Sequence, residues 1–267
     1  MHPYFDVAHP LVIGHRGAAG VAPENTLLSF ERALADGAQI LESDIHLSRD
    51  GIPILLHDPD VERTTDGEGH AAALELEALK RLDAGHGFED EHGGHPYRGR
   101  GLRIATLEEA FDAFPGARFN LEVKSADPRA IRATLDLVVS YERSDRTLLA
   151  AGEDPIMQGL RKALRDHPAR PAVGASVSEI VAAIRSALSD EPMPPGVMAL
   201  QIPPSFMGEP LVTRELVSHA HAAGVEIHVW TINDLDEIES LLALGVDGIV
   251  TDHPGRMAKW LGRDERR

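Results

Sequence analysis

Glycines flank a histidine and an arginine in Gly14-His15-Arg16-Gly17. Glycine tolerates sharp backbone turns, so the two adjacent side chains between them can both reach one site. An imidazole titrates near neutrality and moves protons, while a guanidinium holds an oxyanion in a planar fork of N–H donors. Glu42-Ser43-Asp44 sets two carboxylates at i and i+2, and Glu122-Val123-Lys124 sets an acid and a base at the same spacing. On a β-strand that spacing puts both groups on one face. Neighbouring carboxylates make a poor core face, and they suit a hard cation, which takes several oxygen ligands and offsets their repulsion. For either pair taken alone, the competing reading is an interior salt-bridge layer.

Charge counting joins the motifs. Glu42, Asp44 and Glu122 against Arg16 and Lys124 leave a pocket of charge −1, which repels an anion. A divalent cation would turn that charge positive and a bound phosphodiester would then neutralise it, so metal and substrate complete one another. His15 and His57 can then act as acid and base.

Elements must bring these residues together. Eight apolar runs rich in Val, Ile and Leu stand out, at Leu11–Gly14, Gln39–Ile45, Arg118–Val123, Thr147–Ala151, Ala172–Ser176, Val197–Ile202, Glu226–Thr231 and Gly248–Asp252. Longer segments of helical period separate them, the pattern of an α/β chain with a parallel sheet. Eight such units predict a closed (βα)8 TIM barrel with its chemistry at the C-terminal strand ends. A doubly wound open sheet is the alternative. A ninth run, Ile52–His57, follows the second too closely for a helical crossover and predicts a hairpin. Asp50-Gly51 is read as its two-residue type I′ turn, which sets Arg49 opposite Ile52, Asp44 opposite His57, and Glu42 on that same face.

Residues 58–105 read as an insertion, a small cap over one side of the mouth, with a helix at Leu74–Leu82 and a Gly- and His-rich stretch at Gly85–Gly101. No fixed-period repeat interrupts the chain, so residues 1–267 are expected to form one barrel domain carrying that insertion. Leu27–Ala35 is an amphipathic helix capped by Asn25 or Thr26. His86, His92 and His95 fit no zinc spacing, and His219 and His221 point apart on a helix. The tail Gly262–Arg267 is expected to fray.

Composition excludes several functions. With 267 residues the chain has the length at which α/β barrels commonly form one domain, and 43% hydrophobic residues supply a core. A formal charge of −17 repels phosphate backbones and anionic membranes, so neither nucleic acid nor stable membrane association is expected. There is no cysteine, which excludes disulfides and thiolate chemistry. No signal peptide or apolar run of about 18 residues is present, so a soluble cytoplasmic protein is expected.

Seven segments together carry a family likeness: GHRG at 14–17, PENT at 23–26, LESDIHLSRDGIPILLHD at 41–58, RTTDGEG at 63–69, LEVKS at 121–125, VWTIND at 229–234 and GVDGIVTDHP at 245–254. In this order and at these spacings the chain resembles the glycerophosphodiester phosphodiesterases. The resemblance implies a barrel that uses one divalent metal ion, Ca²⁺ or Mg²⁺ with Mn²⁺ as a further option. It implies metal binding by Glu42, Asp44 and Glu122, phosphate binding by Arg16 and Lys124, and acid–base catalysis by His15 and His57. Trp230 would wall the glycerol pocket, and Glu24 would orient Arg16 beside the substrate. A substrate hydroxyl would attack phosphorus to give a cyclic phosphate that water opens, yielding glycerol 3-phosphate and an alcohol. Two positions depart from the family pattern: Ala150-Ala151-Gly152 replaces a frequent Ser-Phe pair, and Ala105 a frequent proline. The rival functions are phospholipase D-like cleavage of lysophospholipid or sphingolipid headgroups, for which the sequence shows no apolar docking run, and a catalytically silent binding protein.

Overall fold

The computed structural model describes residues 2–189 and 191–263. Eight parallel strands form the barrel: β1 (Leu11–Gly14), β2 (Ile40–Leu47), β4 (Arg118–Val123), β5 (Thr147–Ala150), β6 (Ala172–Val173), β7 (Ala199–Ile202), β10 (Glu226–Val229) and β11 (Gly248–Thr251). They run around the barrel in the order β6-β5-β4-β2-β1-β11-β10-β7. The Met198 amide donates to the Val173 carbonyl at 2.9 Å, drawing β6 and β7 together so that the barrel is nearly closed. All eight predicted strands are present. Several stop a few residues short of the expected span, because the chain leaves the ladder there to form the loops of the mouth.

Period-2 alternation builds two cores. Inward-facing Leu11, Ile13, Ile40, Leu148, Ala199 and Val250 fill the barrel, and Tyr4 and Phe5, from a 3₁₀ turn at Pro3–Phe5, close its floor. Outward-facing Leu41, Ile45, Leu121 and Leu149 pack under α1 (Leu27–Ala35), α3 (Leu107–Ala113), α4 (Pro128–Ser140) and α5 (Asp154–Asp166). On the other side Val12, Leu200, Ile227 and Ile249 meet α6 (Val177–Ser189), α7 (Arg214–Ala222), α8 (Leu235–Leu244) and α9 (Pro254–Trp260). Helix α1 has the predicted bounds, and Thr26 is its cap, accepting from the Ser29 amide at 3.2 Å.

The hairpin exists with a different register. β3 (Pro53–Leu55) pairs antiparallel to β2 through Ile45–Leu55, His46–Ile54 and Leu47–Pro53, so Asp44 faces Leu56 and not His57. The turn has three residues, Arg49-Asp50-Gly51, closed by the Ser48 amide on the Ile52 carbonyl at 3.0 Å, with Gly51 at φ +86°. A left-handed glycine ending a three-residue loop is a standard hairpin closure. A one-residue slip turns a strand over, and by strand parity His57 would leave the site. It does not, because β3 ends at Leu55 and the chain bends through residues 57–59.

The insertion also differs in detail. In place of a helix at Leu74–Leu82 there is a 3₁₀ turn at Ala71–Ala73 and a single turn, α2 (Leu76–Leu79). Leu74 is extended at φ −104°, ψ 136°, and Glu75 makes no side-chain cap, so the helix neither starts early nor gains length. These pieces fold around Ile54, Leu56, Val61, Leu79 and Ile104, a small apolar cluster of their own. Tyr97 donates to the Val21 carbonyl at 3.1 Å and ties the insertion to the loop after β1. At the C-terminal end Arg263 donates to the carbonyls of Pro10 at 2.7 Å and His9 at 2.9 Å, so Gly262 and Arg263 are anchored. The rest of the expected frayed tail, residues 264–267, lies outside the described residues. Two small β-strands, β8 (Ser205–Phe206) and β9 (Glu209–Pro210), form a hairpin after β7.

Two glycines separate backbone strain from crowding. Both Gly51 and Gly17 are left-handed, but a Cβ on Gly51 meets nothing within 4 Å, whereas one on Gly17 falls 2.4 Å from Ser29 Oγ. Gly51→Ala should cost about 1 kcal/mol in urea unfolding. Gly17→Ala should cost clearly more and lower turnover as well, since Arg16 is its neighbour. Equal losses for the two variants would contradict this assignment.

Candidate active site

The charged groups come from β2, from the ends of β1 and β4, and from the bend after β3. β1 leads into His15, whose amide donates to the Thr251 carbonyl at 2.9 Å, and Arg16 follows at φ 49°. Along β2 and β4 the register sets Glu42 beside Asn120 and Asp44 beside Glu122. A cavity of about 240 Å³ at the mouth is lined on its charged side by His15, Arg16, Glu42, Asp44, His57, Glu122 and Lys124. Ala150, Gly152, Ala175, Val177, Ile180 and Trp230 contribute its apolar side. Every charged residue singled out in the sequence except Glu24 therefore lines one cavity. Glu24 lies behind it: its Oε1 accepts from Arg16 Nη1 at 2.8 Å, so it orients the guanidinium without lining the pocket.

The carboxylates are compensated from several directions. The Arg16 amide donates to Glu42 Oε2 at 2.9 Å, and Arg16 Nε stands 3.5 Å from Asp44 Oδ2. Lys124 Nζ lies 3.3 Å from Asp44 Oδ1 and 2.9 Å from Glu122 Oε2. Burial and the two facing carboxylates act oppositely on this ammonium, and the carboxylates prevail to raise its pKa. Arg16 Nε is buried beside Asp44 and makes no hydrogen bond among the described residues. Glu42 is the least compensated group: burial and then the charge of Asp44 push its carboxyl up to about 7.

Each imidazole has its own aspartate. His15 Nδ1 lies 2.7 Å from Asp252 Oδ1, and Asp252 Oδ2 accepts from Asn233 Nδ2 at 2.7 Å. Burial acts to lower the His15 pKa, but the hydrogen bond to Asp252 and the charge of Glu42 outweigh it and the pKa is raised. His57 Nδ1 lies 2.7 Å from Asp58 Oδ1. With Nδ1 engaged by a carboxylate, Nε2 is the nitrogen on each ring left available for proton transfer.

Sequence reasoning missed the partners. Asn25, weighed as a helix cap, is buried at φ 56°, donates to Asp44 Oδ2 at 3.2 Å and accepts from Ser43 Oγ at 2.7 Å. It holds a metal-ligand candidate. Asp252 sits one residue beyond the Gly14–Thr251 pair of β1 and β11, so barrel closure brings it to His15. An acid just past the last strand was the available signal. Ala150 and Gly152 do line the cavity, so the departure from the usual Ser-Phe pair falls on the site itself, and the Gly152 amide donates to Glu122 Oε1 at 3.2 Å. His95 Nδ1 is engaged by the Phe88 carbonyl at 2.8 Å, and His219 and His221 pair separately with Ser186 and Asp247.

Donor chemistry fits a hard divalent cation. Three carboxylates line one cavity, and burial together with the charge of Asp44 makes Glu42 hold its proton toward neutrality. Among the described residues no three His, Asp or Glu side chains are gathered closely enough to hold a metal ion as they stand, and Lys124 bridges Asp44 and Glu122. Among the same residues, no helix is long and apolar enough to cross a membrane.

An eight-stranded parallel barrel whose mouth combines an arginine and a lysine, three carboxylates and two aspartate-backed imidazoles belongs with the phosphodiester-cleaving barrel enzymes. More narrowly, the glycerophosphoryl diester phosphodiesterase family matches residues 15–256, and the chain belongs to that family. It is 31% identical to a glycerophosphodiester phosphodiesterase of Caldanaerobacter subterraneus subsp. tengcongensis, over 91% of this chain and 94% of the relative. A solved phosphodiesterase of Oleispira antarctica, in complex with the product sn-glycerol-3-phosphate, superposes with a TM-score of 0.78 at 32% identity, covering 95% and 97% of the two chains. A phosphodiesterase domain from Mycobacterium tuberculosis, 20% identical, shares the fold with a TM-score of 0.83 over 95% of this chain and all of that one. Family membership makes the protein a glycerophosphodiester phosphodiesterase.

Glu42 generates a pH prediction. Its pKa is about 7 folded against 4.5 unfolded, so the folded state holds the extra proton between those values and loses stability as pH rises through that window. Glu42→Gln keeps an acceptor for the Arg16 amide and removes the titration. In chelator, the variant should therefore melt above the parent at pH values beyond about 7, with the gap closing toward about 4.5. A gap that does not change with pH in a thermal melt series would contradict the assignment.

Proposed function

We propose that the enzyme hydrolyses water-soluble glycerophosphodiesters to glycerol 3-phosphate and an alcohol, with His15 and His57 as the acid–base pair. The observation that carries the reading is the pair of imidazoles, each fixed at Nδ1 by its own aspartate, lining one cavity with Arg16 and Lys124. The product found in the Oleispira structure supports a small glycerophosphodiester as substrate.

Arg16 and Lys124, which both line the cavity, would receive the phosphate oxygens. One imidazole takes the proton from a glycerol hydroxyl as that oxygen bonds to phosphorus. The other gives a proton to the departing alcohol oxygen as its bond to phosphorus breaks. The resulting cyclic phosphate is opened by water with the two roles exchanged, which returns both rings to their starting states. Glu42, Asp44 and Glu122 would hold a divalent cation, Ca²⁺ or Mg²⁺ with Mn²⁺ as a further option, which supplies Lewis-acid charge for the phosphoryl oxygens when bound. Trp230, 44% exposed, would form the outer wall beside the glycerol. Glu24 contributes through Arg16.

A second reading, lysophospholipid cleavage, has one observation in its favour. Val177, Phe206, Met207 and Trp230 are large apolar side chains exposed on the segments that follow β6, β7 and β10, separate stretches that no continuous run announces. Comparing kcat/KM for glycerophosphocholine and for its monoacyl form separates the two readings.

His15→Ala and His57→Ala should each lose at least about 10²-fold in kcat, the typical worth of a positioned proton-transfer group. The double variant should be far less than multiplicatively worse, because the two act in one transition state. A near-normal kcat in either single variant removes that residue from the chemistry. Chelation should abolish turnover and an added divalent ion restore it; full activity in excess chelator, with metal content verified, would refute the metal requirement.

A further inference from the structure

Arg63 belongs to the insertion, does not line the cavity, and leaves 47% of its side chain exposed. Its guanidinium nevertheless spends three N–H donors on two carboxylates that serve the site. Nη1 donates to Glu24 Oε2 at 2.6 Å and Nη2 to Glu24 Oε1 at 2.8 Å, while Nε donates to Asp58 Oδ2. The other oxygen of Asp58 holds His57 Nδ1, and Glu24 Oε1 also accepts from Arg16 Nη1. His57, Asp58, Arg63, Glu24 and Arg16 thus form an unbroken chain of polar contacts in which acids alternate with bases.

We propose that Arg63 is a positioning residue that fixes His57 and Arg16 relative to each other, making the insertion a clamp on the active site. The comparison with the other imidazole shows what the clamp replaces. Asp252, which backs His15, has its second oxygen held by Asn233. Asp58, which backs His57, stands in the bends beyond β3, and its second oxygen is held by Arg63. An exposed ion pair alone adds little, but a bidentate fork tied into a network fixes geometry as well as charge. Only arginine can offer Glu24 two parallel donors and keep Nε for a second acid; a lysine ammonium cannot reproduce that fork. The raised pKa of Arg63 and the lowered one of Glu24 agree with mutual stabilisation.

The inference rests on His57 as a proton-transfer group, and the test keeps the two apart. Steady-state kcat and KM, normalised to the folded fraction from circular dichroism, are compared for Arg63→Ala, Arg63→Lys, His57→Ala and Arg81→Ala with glycerophosphocholine. Arg81 is an exposed arginine of the same insertion, paired with Glu77, and its variant should match the parent. Arg63→Ala should lose roughly 10- to 100-fold in kcat, the scale of a small misplacement of reacting groups, with a smaller rise in KM through Arg16. Arg63→Lys should recover only part of the loss. Added guanidinium ion at millimolar concentration should raise turnover of Arg63→Ala and leave His57→Ala unchanged, a response that loss of stability alone would not give. If Arg63→Ala does not fold, the kcat of Arg63→Lys decides. Parental kcat per folded molecule in the readable variant, while His57→Ala is inactive, overturns the role of Arg63. An active His57→Ala overturns the reading of His57 instead.

Discussion

Two carboxylates two residues apart on β2, with a third directly across on β4, place more negative charge in the barrel mouth than a protein interior tolerates without compensation. Much of the site is a response to that crowding. Asn25 and Lys124 face Asp44, the Arg16 amide faces Glu42, and Lys124 and the Gly152 amide face Glu122. Glu42 still retains its proton toward neutrality. On the proposed reading, cation binding and phosphate binding share one electrostatic origin, because charge brought in for one would prepare the pocket for the other.

The barrel frame makes that crowding possible. Strands with no side chain to spare on their outward faces are held by helices through apolar contact, which leaves their inward faces at the mouth available for polar groups. The apolar layer beneath, from Leu11 to Val250 with Tyr4 at the floor, sets the height at which polar chemistry begins.

The frame and the charged groups were legible in the sequence because both follow strict periods. Apolar runs gave eight strands, and i, i+2 spacing on β2 and β4 gave the shared faces. The hairpin register was misread at the turn: Asp50-Gly51 has the composition of a two-residue loop, while Arg49 joins the real three-residue loop and donates its amide to the Leu74 carbonyl. His57 was nevertheless assigned to the right cavity, since the bends after β3 determine its position more than the ladder does. The partners of those groups were harder to read. Asn25, Asp58, Arg63 and Asp252 all fall within the segments that carry the family likeness, but Asn25, Arg63 and Asp252 act through contacts between segments far apart in the chain, which local periodicity does not reveal.

The aromatic floor has a consequence for the order of events. Tyr4 is fully buried and Phe5 nearly so, closing the end of the barrel opposite the cavity. Among the described residues, substrate, departing alcohol, entering water and final product would therefore all pass through the mouth. On the proposed chemistry the same imidazole that protonates the alcohol must next activate the water. The alcohol has to vacate its place before the water can take it, so traffic through the mouth, as much as bond breaking, sequences the two halves of the reaction.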